Sequence, residues 1–132
     1  MEKKVLLKSL TPSALSVLFW GIYLCTTGAT LILIPALILP LMGYPPSFDI
    51  WVRMTGLLTA VLGFYYIQAA RHQIFPFFRW KIVGHTVGIV VMLSLYFNNL
   101  APSPILLTAL IDLGAALWTL YTLQKEKRLT YL

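Results

Sequence analysis

Between Ser13 and Leu123 the chain consists of long apolar runs, interrupted by clusters of proline, asparagine and charge. The first run, Ser13 to Gly43, is thirty-one residues long. As one straight helix it would measure about 46 Å at the usual rise per residue, well beyond a hydrocarbon core of about 30 Å. Split in half, each piece would be too short to cross. Pro35 and Pro40 decide the division, because proline removes an amide donor and clashes with the preceding turn. The pattern predicts a tilted span over 12–34. A short apolar segment over 35–46, "PALILPLMGYPP", follows it, either lying along or dipping into the interface or forming a kinked helix end against its neighbours.

A second span is expected over 50–70, closed by "RHQIFPFFRWK", and a third over 78–97. The stretch "NNLAPSP" joins two asparagines to two prolines, a clear turn signal. The fourth span, 104–123, runs into "QKEKRLTYL". The predicted fold class is therefore an all-α membrane protein, a four-transmembrane-helix bundle forming one domain over residues 1–132. There is no internal repeat, low-complexity tract or linker to divide it.

Composition agrees with this pattern. Of the 132 residues, 59% are hydrophobic and 11% charged, with a mean hydropathy of +0.83, against about 45–50% apolar and 25% charged in soluble domains. A soluble chain this short has no interior large enough to hide so much apolar surface. The net charge of +6 does not point to nucleic acid, because the basic residues bracket hydrophobic runs and form no continuous face. Lys3, Lys4 and Lys8 precede the first span, Arg71, Arg79 and Lys81 cluster in the middle around the turn from the second span to the third, and Lys125, Lys127 and Arg128 follow the fourth. With both termini cytoplasmic, nine of the ten Lys/Arg residues lie inside, leaving Arg53 alone near the outer face, as the positive-inside bias requires. The expected location is the cell membrane, multi-pass, in a bacterial inner membrane. The first apolar run exceeds the core of a signal peptide, about 7–15 residues, so the first span is expected to remain in the mature protein.

Aromatic residues fall near the predicted boundaries, Tyr65, Tyr66, Phe75, Phe77, Phe78 and Trp80 at the inner one and Tyr44, Phe48, Trp51, Tyr96 and Phe97 at the outer. Amphipathic rings favour headgroup depth, and such a belt accounts for most of them. Cys25, the only cysteine, leaves no partner for an intramolecular disulfide and reads as a small packing residue.

With Arg79 and Lys81 set aside as flanking cations at the edge of the third span, three ionisable side chains remain within the spans: Arg53, His85 and Asp112. Such groups are costly in lipid and usually face the bundle interior, paired or wetted. Asp112 and His85 both come out near the midplane, and Arg53 about one turn below the outer boundary. Arg53 has Asp49 as a local partner and Asp112 as a distant one, the latter forming a clamp between the second and fourth spans. The helix faces support an interior cluster of Arg53, His85, Asp112, Tyr66 and Thr108. In the second span Arg53, Gly56, Ala60, Gly63 and Ile67 recur at spacings of three and four; Gly84 and Gly88 form a GxxxG pair beside His85 in the third. In the fourth, Thr108, Asp112, Ala115, Ala116, Thr119 and Thr122 share one face. Small residues allow close helix approach, which makes Gly56, Ala60, Gly63, Gly84 and Gly88 the expected packing positions. Two histidines and one cysteine lack metal-ligand spacing, and no P-loop, dinucleotide fingerprint or nucleophile elbow occurs.

The stretches "GYPPSFDIWVRMTGLLTAVLGFYYIQAAR", "FFRWKIVGH" and "LLTALIDLGAALWTLYTLQ" resemble the small four-helix bacterial membrane proteins of the DoxX-like group, over roughly residues 35–124. The elements that carry the resemblance are Gly43-Tyr44-Pro45-Pro46, Arg53, Gly56, Tyr65-Tyr66, Ala69-Ala70-Arg71, Arg79, Gly84, Asp112 and Trp118. His85 stands where similar proteins often carry arginine. The resemblance implies a four-helix fold in the membrane and, through the thiosulfate–quinone oxidoreductase that gave the group its name, a link to membrane redox chemistry.

The function expected from the residues is a non-catalytic membrane protein, binding a small lipophilic molecule such as a lipid or quinone or serving as accessory subunit of a membrane redox or envelope complex. The alternatives are a ligand-free scaffold and an oligomeric proton-coupled transporter. No metal, cofactor or catalytic residue is assigned, with quinone the one candidate ligand. The expected partners are the lipid bilayer, a lipophilic small molecule, and a second copy or another membrane subunit.

Overall fold

The computed structural model describes residues 10–46 and 49–127. They form five helices: α1 (Pro12–Leu33), α2 (Pro35–Leu41), α3 (Ile50–Arg71), α4 (Phe75–Phe97) and α5 (Ile105–Lys125). All but α2 are long and apolar enough to cross a membrane. No strand occurs among the described residues, and the fold is a four-helix membrane bundle.

The helix ends follow from local chemistry. Thr11 caps α1, its hydroxyl accepting from the Ala14 amide at 3.2 Å, with Pro12 directly behind it. Proline suits this position because its missing amide would be unpaired there anyway. The same reasoning explains why α4 starts at Phe75 and not near 78, since Pro76 fits within its first turn. Pro35 stops α1 and opens α2, so the apolar segment after the first span is a separate short helix. Asp49 caps α3 through a 2.8 Å bond from the Trp51 amide. The turn after α2 requires Gly43, whose φ is +80° and whose absent Cβ would lie 2.9 Å from Pro104.

Two antiparallel pairs make up the bundle. α1 and α3 form the tighter pair, and their backbones approach at glycines. A Cβ on Gly28 would lie 2.5 Å from the Gly56 carbonyl oxygen and 2.6 Å from the Ala60 nitrogen, while one on Gly63 would meet the Cys25 nitrogen at 2.7 Å. Gly21 makes the matching approach to Ile67. Spacings of seven residues on both helices keep these contacts on one seam. The second pair is α4 with α5, and α1 joins the pairs by packing against α5. α3 and α4, although consecutive, share few contacts.

A core formed by Ala14, Val17, Ala69, Ala70, Phe78 and Leu123 closes the end of the bundle that carries the start of α1 and the end of α5. Phe78 is fully buried there, an interior residue and not part of an aromatic belt. Elsewhere the apolar side chains point outward: Leu58, Val90, Leu107 and Leu110 are each more than 60% exposed. An outer surface of this kind is stable only in an apolar solvent, and its backbone polar groups are satisfied within helices as a bilayer demands.

Candidate functional site

Near mid-height, where α3 and α4 diverge, the bundle contains a pocket of about 290 Å³. Trp20 and Leu24 of α1, Leu62 and Tyr66 of α3, Gly84 and His85 of α4 and Asp112 of α5 line it. His85 Nδ1 stands 3.5 Å from Asp112 Oδ1, within ion-pair distance, with the imidazole 5% and the carboxylate 18% exposed. Neither ring nitrogen of His85 makes a hydrogen bond. The edge of the imidazole meets the Trp20 ring at 4.7 Å between centroids. Leaving a buried polar atom unpaired costs about 1–3 kcal/mol, so His85 is held here by its surroundings at a free-energy cost.

A second polar group lies behind the pocket. Lys81, one turn before His85 on α4, is 3% exposed. Its Nζ donates to Thr119 Oγ1 at 2.6 Å and to the Ala115 carbonyl at 3.2 Å, and lies 5.6 Å from the centre of the Trp20 ring. Thr119 Oγ1 is in turn 3.0 Å from Ser16 Oγ, and Ser16 donates to the Ser13 carbonyl at 2.7 Å. Ser13 gives both its amide, at 2.8 Å, and its hydroxyl, at 2.7 Å, to Glu126 at the end of α5. Polar contacts thus tie α1, α4 and α5 together from Lys81 to the closed end of the bundle.

Lys81 corrects the sequence-based count of three ionisable residues within the spans. Grouped by sequence with the flanking cations, it instead turns its side chain into the bundle against α5. The signal that finds it is spacing: Lys81 and His85 stand at i and i+4, on one helix face, opposite the threonine and alanine face of α5.

The expected cluster comes together only in part. His85, Asp112 and Tyr66 share the pocket, whereas Arg53 and Thr108 do not line it. The Arg53 guanidinium donates to the Ile32 carbonyl at the end of α1, and Asp112 pairs with His85; the clamp between Arg53 and Asp112 does not form. Thr108 borders a separate, mainly apolar pocket of about 210 Å³ with Met42, Tyr44, Met92, Pro104 and Ile105. Among the packing positions, Gly56, Ala60 and Gly63 lie on the seam with α1. Gly84 and Gly88 do not bring α4 into close backbone contact with a neighbouring helix. A Cβ on Gly84 would meet nothing within 4 Å, and one on Gly88 only Asp112 Oδ2 at 3.5 Å. The GxxxG pair makes room for the pocket and its carboxylate.

Chemically, the pocket presents two aromatic rings, an imidazole–carboxylate pair and aliphatic walls, a mixture suited to holding a small polar head. No group of three or more metal-ligating side chains occurs among the described residues. Comparison with protein-family models, curated proteins and solved structures finds no match to the chain.

Proposed function

We propose that this multi-pass membrane protein is a non-catalytic binder of a small lipophilic molecule, quinone-like or lipid, whose polar head occupies the pocket at His85 and Asp112. The observation that carries the reading is a nearly buried His85 in the lining of that pocket whose ring nitrogens make no hydrogen bond, Nδ1 having only its 3.5 Å contact with Asp112. A carbonyl or hydroxyl on the ligand would supply the missing hydrogen bond, worth about 0.5–1.5 kcal/mol net, while Trp20 and Tyr66 give the pocket aromatic walls. An accessory role beside a membrane redox or envelope complex agrees with this chemistry, as does the resemblance to the DoxX-like group. The termini are assigned to the cytoplasm on charge: Arg71, Lys125 and Lys127 are exposed at that end, as inner flanks are.

Decylubiquinone provides the test. Titrated into nanodiscs holding a variant with Trp20 as its one tryptophan, it is expected to quench that residue saturably. His85→Ala is expected to weaken the saturable binding by up to about tenfold, and Thr108→Ala, in the other pocket, to leave it intact. Quenching that never saturates, or that is equal in His85→Ala, rejects quinone-like binding at this pocket.

A further inference from the structure

The residues around the pocket differ in exposure in a way that locates its entrance. Its floor is protected: His85 is 6% exposed, and Trp20, Leu24, Tyr66 and Asp112 are all partly buried. Leu62 on α3, at 45%, and Gly84 on α4 are exposed and form the rim. Gly84 lies about 14 Å along α4 from Phe75, and Leu62 about 18 Å along α3 from Ile50, at 1.5 Å per residue. Both positions fall near the middle of a hydrocarbon core of about 30 Å. The opening therefore faces the acyl chains.

The route from the end that carries the termini is closed. Tyr66 and Phe77 meet edge to face at 4.9 Å, joining α3 to α4 on that side of the pocket. Beyond them lie the fully buried Phe78 and Leu123 and the Lys81–Thr119–Ser16 contacts. The volume sets a further limit. Pockets that enclose a drug-sized molecule run from about 300 to 1,000 Å³; at about 290 Å³ this one lies at the small end of that range, room for a head group with a long tail left outside.

We infer that the pocket is loaded sideways from the bilayer, through a mouth between α3 and α4 rimmed by Leu62 and Gly84, by an amphiphile whose hydrogen-bonding head enters while its apolar tail stays in the lipid. This rests on the binding reading above for the identity of the occupant; the mouth itself is tested without any ligand. Gly84 is the gatekeeping position. With open space around its Cβ, a larger side chain there narrows the mouth without pressing on a neighbouring helix.

The test uses lipids brominated at mid-chain as a contact quencher and iodide as an aqueous one. Trp51, Trp80 and Trp118 are all exposed, and Trp51→Phe, Trp80→Phe and Trp118→Phe leave Trp20 as the only reporter. In nanodiscs, mid-chain bromine is expected to quench Trp20 and iodide to leave it bright. Gly84→Leu loses most of the bromine quenching, while Gly84→Ala, which leaves the mouth open, retains it; cooperative melting of both variants at or above the wild-type temperature establishes that they fold. Bromine quenching unchanged in Gly84→Leu, quenching by iodide instead, or no bromine quenching at all, as when a second copy covers the mouth, overturns the inference. If decylubiquinone fails to bind while bromine quenching follows this pattern, the mouth stands and the quinone-like occupant does not.

Discussion

Arg53 supplies a hydrogen bond that the interrupted backbone at Pro35 leaves open. Carbonyls in the last turn of a helix lack intrahelical partners, and the guanidinium takes up that of Ile32 from the neighbouring α3. A cation there also suits the negative end of the α1 dipole. Hydrogen bonds to charged groups contribute about 1.5–3 kcal/mol, and Arg53→Leu is expected to lose stability of that order in detergent unfolding. Arg71→Leu, at an exposed position, should stay within about 0.5 kcal/mol. Lys81 behaves oppositely to its position in the sequence. Lys81→Met removes the donor to Thr119 and Ala115 and should cost about 1–3 kcal/mol. Adding Thr119→Val should cost less than the sum of the two single changes, because they share one contact. A basic residue at a helix edge reads the same in sequence whether it faces water or the interior. What separates Lys81 from Arg71 is the face of α4 it occupies, which points at Ala115 and Thr119 only once α5 lies against it.

Among the elements, glycine plays two different parts that spacing alone does not distinguish. The seam between α1 and α3 rests on backbone contact at Gly21, Gly28, Gly56 and Gly63. Gly28→Ala places a methyl against backbone atoms that cannot yield cheaply, and overpacking of this kind costs about 1–3 kcal/mol. In α4 the balance reverses: Gly84→Ala meets nothing within 4 Å and gains helix propensity of up to about 1 kcal/mol. Thermal unfolding of the two variants should therefore shift in opposite directions. The four spans, the break at Pro35 and the Gly56–Ala60–Gly63 stripe were legible from sequence, since length, proline and small-residue periodicity are local signals. The partner of that stripe was not, because Gly21 and Gly28 stand out on α1 only once α3 is known to lie against it. For the same reason the GxxxG of α4 read as a packing motif: a small residue permits close approach, but it equally permits an empty space.

Across the whole molecule, two tightly joined pairs of helices leave one loosely closed seam, between α3 and α4, and the polar pocket lies on it. Sequence placed His85 and Asp112 at similar depth and predicted that they face inward. Their pairing with each other, and not with Arg53, follows from α4 and α5 being neighbours, which is a property of the assembled bundle. The same arrangement brings the start of α1 and the end of α5 together, so reporters fused to the two termini are expected to give the same signal, cytoplasmic on the charge pattern. The central claim, that the pocket at His85 and Asp112 holds the head of a lipophilic molecule, is tested most directly by native mass spectrometry of the protein released from polymer-excised membrane particles. One small amphiphile per chain should be retained in the wild type and lost in His85→Ala, with bulk lipid unchanged. Identical spectra for the two, without a retained molecule in either, would contradict it.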